Sequence, residues 1–272
     1  MAKRSPTRLP KAPLTEVVFE LRWRLQGGSQ LPAIVHADPG LLPLIETFTA
    51  AMRKKGFTSF KDMAPALQTG AYGVARRFYR GTNRPYPLMQ IGPGIFATNQ
   101  SSQYEWKSFQ SQIISGIQSL LESYPKLDFF SLTPNYLELR YIDAFDRSLV
   151  GSSEIYDFMA KGTSIKINFP NFLVDKETFD GETKGRLLFQ RPLKSRKHTL
   201  FSVDIGSGRN NDTQQDIIRM ETKFLSQEGD VPKLLSSKKF PSAIKAWASS
   251  AHDVTSQFFK ALIVPEVMQK FG

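Results

Sequence analysis

The sequence contains no cysteine, and this absence excludes several classes of protein at once. A chain without thiols has no disulfide framework, no cysteine-ligated zinc and no thiol nucleophile. Its three histidines, His36, His198 and His252, do not form a metal-binding motif such as His-Glu-x-x-His. A reducing compartment fits a cysteine-free chain best, so we expect a cytoplasmic protein.

Long apolar runs are also missing. No stretch approaches the ~18 apolar residues that a membrane-spanning helix needs, so we expect no membrane partner. The basic start MAKRSPTRLPKAP is interrupted by prolines and lacks the apolar core of a signal peptide. Residues 1–13 are predicted to be a disordered basic arm, because their composition leaves little to bury.

Acidic residues are outnumbered by basic ones. The chain carries 36 Lys and Arg against 25 Asp and Glu, which gives a formal net charge of +11. This excess favours partners that carry phosphates or acidic surfaces. Charge by itself does not distinguish a nucleic acid from an acidic protein.

The first half of the chain contains a regular order of strand and helix signals. Apolar and polar residues alternate in 14–25, which predicts a strand with one buried face. A helix is predicted to stop at Gly56, a second strand lies within 70–81, and a hairpin turns at 92–94. Apolar residues at three-to-four spacing in 106–121 predict an amphipathic helix.

The second half repeats this order less regularly. A short strand is predicted at 164–169, and a hairpin joins 185–193 to 198–206 across a basic loop. Residues 216–225 fit either a strand or a helix. Residues 242–263 present one apolar helical face, which predicts a long terminal helix.

These signals predict an α+β fold with two similar halves, 14–150 and 151–272, in one compact unit. Each half is expected to contain antiparallel strands or hairpins covered by a long amphipathic helix. Hairpins rather than strand–helix–strand crossovers connect most of the strands, which favours an antiparallel sheet.

A short phrase occurs twice, as FELRW at 19–23 and LELRY at 137–141. If both segments form neighbouring antiparallel strands, Glu20 can oppose Arg140 while Arg22 opposes Glu138. Such a structural charge ladder would contribute roughly 0.2–1 kcal/mol for each pair. The alternative is a catalytic or phosphate-binding group, since carboxylates beside guanidiniums can serve acid–base chemistry. The ladder already explains the spacing, and we prefer it.

Three segments carry a resemblance to a known family: PLTEVVFELRW, the GPG hairpin followed by Tyr104, Trp106 and Phe109, and LRYIDAF. They resemble a sporadically distributed, functionally uncharacterised prokaryotic family whose members have a P-L-x-E-V-x-F-E-L-R start and a central L-R-Y-I-N strand. Asp143 stands here in place of that asparagine. The resemblance implies a common fold, and the scattered distribution of the family resembles that of mobile or anti-phage defence genes.

Two basic clusters are candidate contacts for nucleic acid. The first interleaves cations with an aromatic ring on a predicted strand, a composition suited to phosphates and base stacking. The second crowds the tip of a predicted hairpin, where a polyanion is accessible. The candidate residues are Arg76, Arg77, Tyr79, Arg80, Arg191, Lys194, Arg196 and Lys197.

No catalytic constellation is recognisable in the sequence. The glycine-containing loop 204–212 lacks the lysine of a phosphate-binding loop, and no G-x-S-x-G elbow occurs in a supporting context. The pair His252-Asp253 fits a satisfied helix pair better than a catalytic dyad. Scattered carboxylates leave a metal-dependent site open if at least two of them converge. Those carboxylates are Glu20, Glu138, Asp143 and Asp204.

The sequence therefore favours a non-catalytic cytoplasmic interaction module, a subunit or accessory of a larger prokaryotic assembly. Its expected partner is another protein or a second copy of the same chain. Nucleic-acid binding is the first alternative, and a metal-dependent nuclease or phosphodiesterase is the second. No catalytic residue, metal site or cofactor is assigned, and whether the protein is an enzyme stays open.

Overall fold

The computed structural model describes residues 12–25, 38–63, 73–82, 84–101, 104–126, 131–151, 154–167, 184–210, 213–235 and 240–271. Residues 1–11 of the predicted basic arm lie outside this part of the chain. The described residues form a mixed α and β fold with a nine-stranded antiparallel sheet, as the alternating sequence signals predict.

The strands are β1 (Leu14–Trp23), β2 (Ser59–Asp62), β3 (Arg76–Gly81), β4 (Arg84–Gly92), β5 (Ile95–Gln100), β6 (Pro134–Phe145), β7 (Arg186–Leu193), β8 (Arg196–Arg209) and β9 (Asp216–Ser226). The helices are α1 (Leu41–Lys54), α2 (Trp106–Ser123), α3 (Arg147–Val150), α4 (Ile155–Asp157), α5 (Val231–Leu235), α6 (Phe240–Leu262) and α7 (Pro265–Met268). A π-helical turn at Phe158–Gly162 and a 3-10 turn at Gln269–Phe271 complete the order.

The strands are ordered β2-β3-β4-β5-β1-β6-β9-β8-β7, and all neighbours are antiparallel. β1 and β6 therefore lie at the centre of a single sheet. Meanders of consecutive strands extend from this pair in both directions. Both halves contribute strands to one continuous sheet, and its strand order alone does not test whether they resemble each other. The likeness of the two halves therefore stays a prediction.

Local sequence signals explain where several elements begin and end. Glu105 caps α2, since its carboxylate accepts hydrogen bonds from the backbone N–H groups of Lys107 (3.1 Å) and Ser108 (2.8 Å). Gly56, with φ +82°, follows α1 in the left-handed conformation that ends many helices. The β4–β5 hairpin turns at the predicted place, and Gly94 there has φ +66°.

The core lies on the side of the sheet that carries the long helices. Alternate residues of β1 belong to a hydrophobic cluster that also contains buried residues of α1, α2 and α6. Phe19 illustrates this packing, since its ring centroid lies 6.4 Å from that of Phe96 and 6.0 Å from that of Trp247. A second cluster surrounds Phe145 near the chain's C-terminal end. Burial on this side holds the helices against the sheet.

The predicted strand at 164–169 is wrong for its described residues, 164–167, which are irregular. The backbone N–H of Ser164 instead donates to the carbonyl of Leu262 (2.7 Å), at the end of α6. Ile165 and Ile167 pack against the second core cluster, which explains their apolar spacing without a strand. Residues 168 and 169 lie outside the described part.

The ambiguous segment at 216–225 is a strand, β9, between β6 and β8. The long terminal helix is confirmed as α6 and begins slightly earlier than expected. Within the described residues, no helix is long and apolar enough to cross a membrane.

Candidate functional site

The two copies of the repeated phrase lie side by side on the central strands. β1 and β6 are antiparallel neighbours, as the phrase predicts, but the predicted oppositions are wrong. Glu20 faces Glu138, Arg22 faces Tyr136, and Arg140 faces Val18. The true register differs by two residues from the predicted one. A two-residue shift keeps every side chain on its own face, so the burial pattern cannot distinguish the two registers.

Opposite charges are instead paired along each strand. Arg22 forms an ion pair with Glu20 two residues before it in β1. In β6, Arg140 Nε lies 3.2 Å from Glu138 Oε1, an ion-pair distance without good hydrogen-bond geometry. The Tyr136 hydroxyl also donates to Glu138. The two carboxylates therefore face each other, and each is neutralised by a cation on its own strand.

A third carboxylate, Glu221 on β9, continues the pattern. It forms ion pairs with Arg219 and Lys223 on its own strand, and with Arg140 Nη1 at 3.7 Å. Burial raises the pKa of Glu221, but Lys223, Arg219 and Arg140 outweigh that effect and hold it below its ordinary value. Glu221 directly opposes Asp204 of β8, so like charges again meet across strands.

These side chains form rows that run across the sheet and alternate in charge. Arg140 and Lys223 oppose each other in one cationic row, and the row of Glu221 and Asp204 lies beside it. The intervening residues of β1, β6, β8 and β9 belong to the hydrophobic clusters, so the rows point away from the long helices. We call this set the striped face. It comprises Glu16, Glu20, Arg22, Glu138, Arg140, Arg186, Asp204, Arg219, Glu221 and Lys223.

Burial differs sharply between the two kinds of row. Glu20, Glu138 and Glu221 are only 7%, 5% and 5% exposed, respectively. The cations are more open, with side-chain exposures of 45% for Arg22 and 46% for Arg219. The carboxylates therefore lie close to the sheet, and the longer basic side chains extend past them towards solvent.

The striped face continues towards both edges of the sheet through hydrogen-bonded pairs. Near one edge, the guanidinium of Arg186 donates two hydrogen bonds to the carboxylate of Asp204, at 2.7 and 2.5 Å. These bonds lower the pKa of Asp204. Towards the other edge, Glu16 accepts hydrogen bonds from Tyr86 (3.0 Å) and Asn99 (2.7 Å).

The four carboxylates proposed for a metal-dependent site are not all brought together. Glu20 and Glu138 oppose each other, but each is held by an arginine. Asp143 lies on the opposite side of β6, and Asp204 is bound by Arg186 on an outer strand. Within the described residues, no group of three or more His, Asp or Glu side chains is placed to hold a metal ion.

The first basic cluster is divided between the two sides of β3. Arg76 is part of the fold: it binds Asp62 through two contacts (2.5 and 2.9 Å) and Thr49 at 3.0 Å. Arg77 and Tyr79 flank the buried Phe78 and therefore point to the other side of the sheet. Arg80 shares the side of Arg76, at the far end of the strand. The four residues do not form one binding surface.

The second basic cluster lies where the sequence predicts it, at the turn between β7 and β8. Arg191, Lys194 and Lys197 are exposed, and Arg196 is half-buried. None of the four forms an ion pair with an acidic side chain of the described residues. We call these four residues the basic tip.

The two basic clusters lie far apart. β3 and β8 are second and eighth in the strand order, a separation of about 29 Å at the usual strand spacing. The eight candidate residues therefore do not make one continuous surface, and their binding to nucleic acid stays a prediction.

His252 is a satisfied histidine rather than part of a dyad with Asp253. Its Nδ1 lies 2.7 Å from the Tyr141 hydroxyl, a hydrogen-bond distance, and its ring stacks on Trp106 at 4.1 Å between centroids. The hydroxyls of Tyr141 and Tyr104 lie 2.9 Å apart. Burial lowers the pKa of His252, because the charged form of the ring loses solvation there.

Asp143 is a buried acidic residue whose environment the sequence analysis missed. It lies between Tyr141 and Phe145 on the core side of β6, opposite Met220 of β9. Burial raises its pKa to about 7. The signal was present in the sequence, because an acid at an inward position of an alternating strand is unusual.

Comparison of the chain with protein-family models, with curated proteins and with solved structures gives no match.

Proposed function

We propose that the protein is a non-catalytic binding module, a subunit or accessory of a larger assembly, that docks an acidic protein partner through the basic tip. The observation that supports this proposal is the contrast between the basic tip and the striped face. Apart from Glu16, which accepts hydrogen bonds from Tyr86 and Asn99, the charges on the striped face form ion pairs with neighbours on the same strand or on an adjacent one. The four cations of the basic tip have no acidic counterpart in the described part of the chain.

Unpaired cations at an exposed turn suit a partner that supplies the missing acidic groups. Like charges raise each other's energy, and an acidic surface relieves that repulsion while it gains attraction. A hairpin tip is also accessible without a rearrangement of the sheet. The cytoplasmic location belongs to this proposal through the absence of cysteine, and a role among defence genes through the family resemblance alone.

Nucleic-acid binding is the second candidate function, and the same exposed cations favour it. In that case the basic tip contacts phosphates, and binding falls steeply with salt because counterions are released. About four phosphate contacts would give a slope of roughly −3.6 in a plot of log K against log salt on duplex DNA. The carboxylate rows of the striped face make that surface a poor second contact for a polyanion.

The test is a comparison of two charge-reversed variants with the wild type in affinity capture from the native host. The tip variant replaces Arg191, Lys194, Arg196 and Lys197 by Glu. The control variant replaces four exposed lysines elsewhere, Lys107, Lys126, Lys245 and Lys270, by Glu, so the net charge is the same. We expect a stoichiometric protein partner that is retained by the control and lost by the tip variant.

Labelled single- and double-stranded DNA and RNA are titrated into the same three proteins across a salt series. If nucleic acid binds in a salt-sensitive way and only the tip variant loses this binding, the basic tip is a nucleic-acid site rather than a protein-docking site. A partner retained equally by both variants would contradict docking through the basic tip. Light scattering on the same samples determines whether the partner is a second copy of the chain.

We also propose that the two halves of the chain are copies of one structural unit. The strand order supports this, because β1 and β6 occupy equivalent central positions and each precedes a meander and a long helix. In such an arrangement β6 begins the second copy, so the boundary falls before it rather than at residue 150. A superposition of an experimental structure on itself, with β1 placed on β6, tests the proposal.

A further inference from the structure

A cleft of about 930 Å³ opens beside the β3–β5 part of the sheet, far from the basic tip. Its walls come from four places in the chain: the end of α1, the end of β3, the β4–β5 strands and the first half of α2. Small-molecule sites commonly enclose ~300–1,000 Å³, so the cleft has room for a ligand of metabolite size.

The charge of the cleft is positive. Lys55, just after α1, and Arg80, near the end of β3, both line it, and no acidic residue of the described segments does. Neither cation forms an ion pair with an acidic residue of the described segments. Arg80 is held in place by Phe57, since its guanidinium lies 5.4 Å from the centre of that ring. The cleft therefore presents two cations to one small volume.

The opposite wall is rich in hydrogen-bonding groups. Ser108, Ser111 and Ser115 recur at three-to-four spacing along α2, so they form one polar stripe that faces the cleft. Beyond them, Gln100 donates to Gln112 (3.0 Å). Hydroxyls and amides of this kind bind sugar hydroxyls and the edges of heterocycles without adding charge.

One polar atom of this wall has no partner among the described residues. Gln100 is 8% exposed, and its buried side-chain Oε1 accepts no hydrogen bond from that part of the chain. Leaving a buried acceptor unpaired has a free-energy cost, and such atoms are uncommon in native proteins. The wall of the cleft thus carries unused hydrogen-bonding capacity beside a glutamine pair.

We propose that this cleft binds a nucleotide, with Lys55 and Arg80 on the phosphate and the serine and glutamine wall on the sugar and base. The combination of features supports this class of ligand over a bare anion, because a lone phosphate would leave most of the volume and the polar wall unused. It also favours a nucleotide over a neutral nucleoside, since two unpaired cations need an anionic group. The proposal is independent of the basic tip.

Isothermal titration calorimetry of the full chain tests it with four nucleoside monophosphates, adenosine and inorganic phosphate as separate ligands. We expect at least one monophosphate to bind, with adenosine and phosphate each at least about tenfold weaker. The variant Lys55→Glu/Arg80→Glu should weaken that binding by at least about tenfold, because attraction to the phosphate becomes repulsion.

Two further variants show whether a loss of binding comes from the changed cleft or from unfolding of the protein. Lys54→Glu/Lys61→Glu makes the same charge change at exposed positions on neighbouring elements that do not line the cleft, and it should bind as the wild type does. Ser111→Trp fills the cleft from an exposed helix position and should abolish binding without a change in charge. Circular dichroism confirms that each variant is folded.

The proposal is overturned if no monophosphate binds at millimolar concentration, or if all variants bind equally. It is also overturned if inorganic phosphate binds as tightly as the nucleotides, because the polar wall would then contribute nothing.

Discussion

The two faces of the sheet bury their side chains in different ways, as two adjacent residues of β1 show. Phe19 is fully buried among aromatic rings, while Glu20 beside it is 7% exposed on the striped face. On the core side, apolar side chains are covered by the long helices that pack on the sheet. On the striped face, Glu20 and Glu138 are each neutralised by an arginine two residues along the same strand. Burial in this protein therefore does not require an apolar side chain.

The two faces also differ in how much they contribute to the free energy of unfolding. Apolar burial is a net favourable term that grows with the area removed from water. Buried ion pairs recover little beyond the cost of desolvating their charges, although the loss of one partner is harmful. We therefore expect the core face to supply most of the free energy of unfolding, and the striped face to penalise incorrect strand registers.

The largest effect should come from the core face. Replacement of Phe19 by Ala removes a ring that packs between Phe96 and Trp247, and we expect a loss of about 3–5 kcal/mol. Val18→Ala, one position along and on the opposite side, should cost only about 1.5 kcal/mol for the two methyl groups lost. Urea denaturation measures the free energy of unfolding of both variants. An equal loss in the two would contradict our expectation that the core face supplies most of the stability.

Asp143 is the acidic exception on the core side, and it gives a test by pH. Its folded-state pKa of about 7 lies above the ordinary value of 3.8, so the folded protein holds this proton more tightly than the unfolded chain does. Stability is therefore lost as pH rises from about 4 to 7. Asp143→Asn should remove this dependence and stabilise the protein by about 2–4 kcal/mol at pH 8.

The check on Asp143 is the difference between wild type and variant, measured by denaturation at pH 5 and pH 8. That difference should be larger at pH 8, because the wild-type carboxyl is charged there. His252 has a lowered pKa and affects stability below about pH 6.5 in both proteins, so it largely cancels in the difference. A difference that does not depend on pH would contradict a raised pKa for Asp143.

A smaller effect tests the pattern of the striped face. In a double-mutant cycle, Glu138→Gln with Arg140→Met should reveal a favourable coupling of about 1 kcal/mol along the strand. A second cycle, Glu20→Gln with Glu138→Gln, should show an unfavourable or negligible coupling across the strands, because like charges oppose there. A favourable coupling between the two glutamates would indicate a shared proton or a bound cation instead.

The smallest effect on stability is expected at the basic tip. Charge reversal at its four positions should change the free energy of unfolding by less than about 1 kcal/mol, because these cations form no ion pairs with the described residues. The variant should nevertheless lose its partner. Thermal denaturation run beside the capture experiment shows whether binding and folding are separable. A large destabilisation would mean that the tip belongs to the fold.

Much of the fold follows from short-range signals in the sequence. The alternation in β1, the glycine turn between β4 and β5, and the apolar periods of α2 and α6 each specify an element from its own residues. The strand predicted at 164–169 shows where this fails. Ile165 and Ile167 have the spacing of a strand, but they are used to pack against the second core cluster beside α6.

The register of the central strands could not be predicted, for a different reason. The sequence identifies β1 and β6 as matching strands, but pairs of residues more than a hundred positions apart are not fixed by any turn. Opposite charges were expected to face each other between β1 and β6, whereas the protein pairs Glu20 and Glu138 with cations on their own strands. The cleft was also missed, since its lining residues come from four separate segments.

The central position of β1 also has a consequence for the order of folding. The hydroxyl of Thr15 bonds to the carbonyl of Ile142, 127 residues away, whereas the β4–β5 and β7–β8 hairpins close through short turns. Closing a long loop costs more entropy than closing a short one, so the hairpins should form early and the β1–β6 pair late. Until then, the edge of β1 is open to any other strand. A chain interrupted before β6 should therefore aggregate rather than fold into half of the molecule.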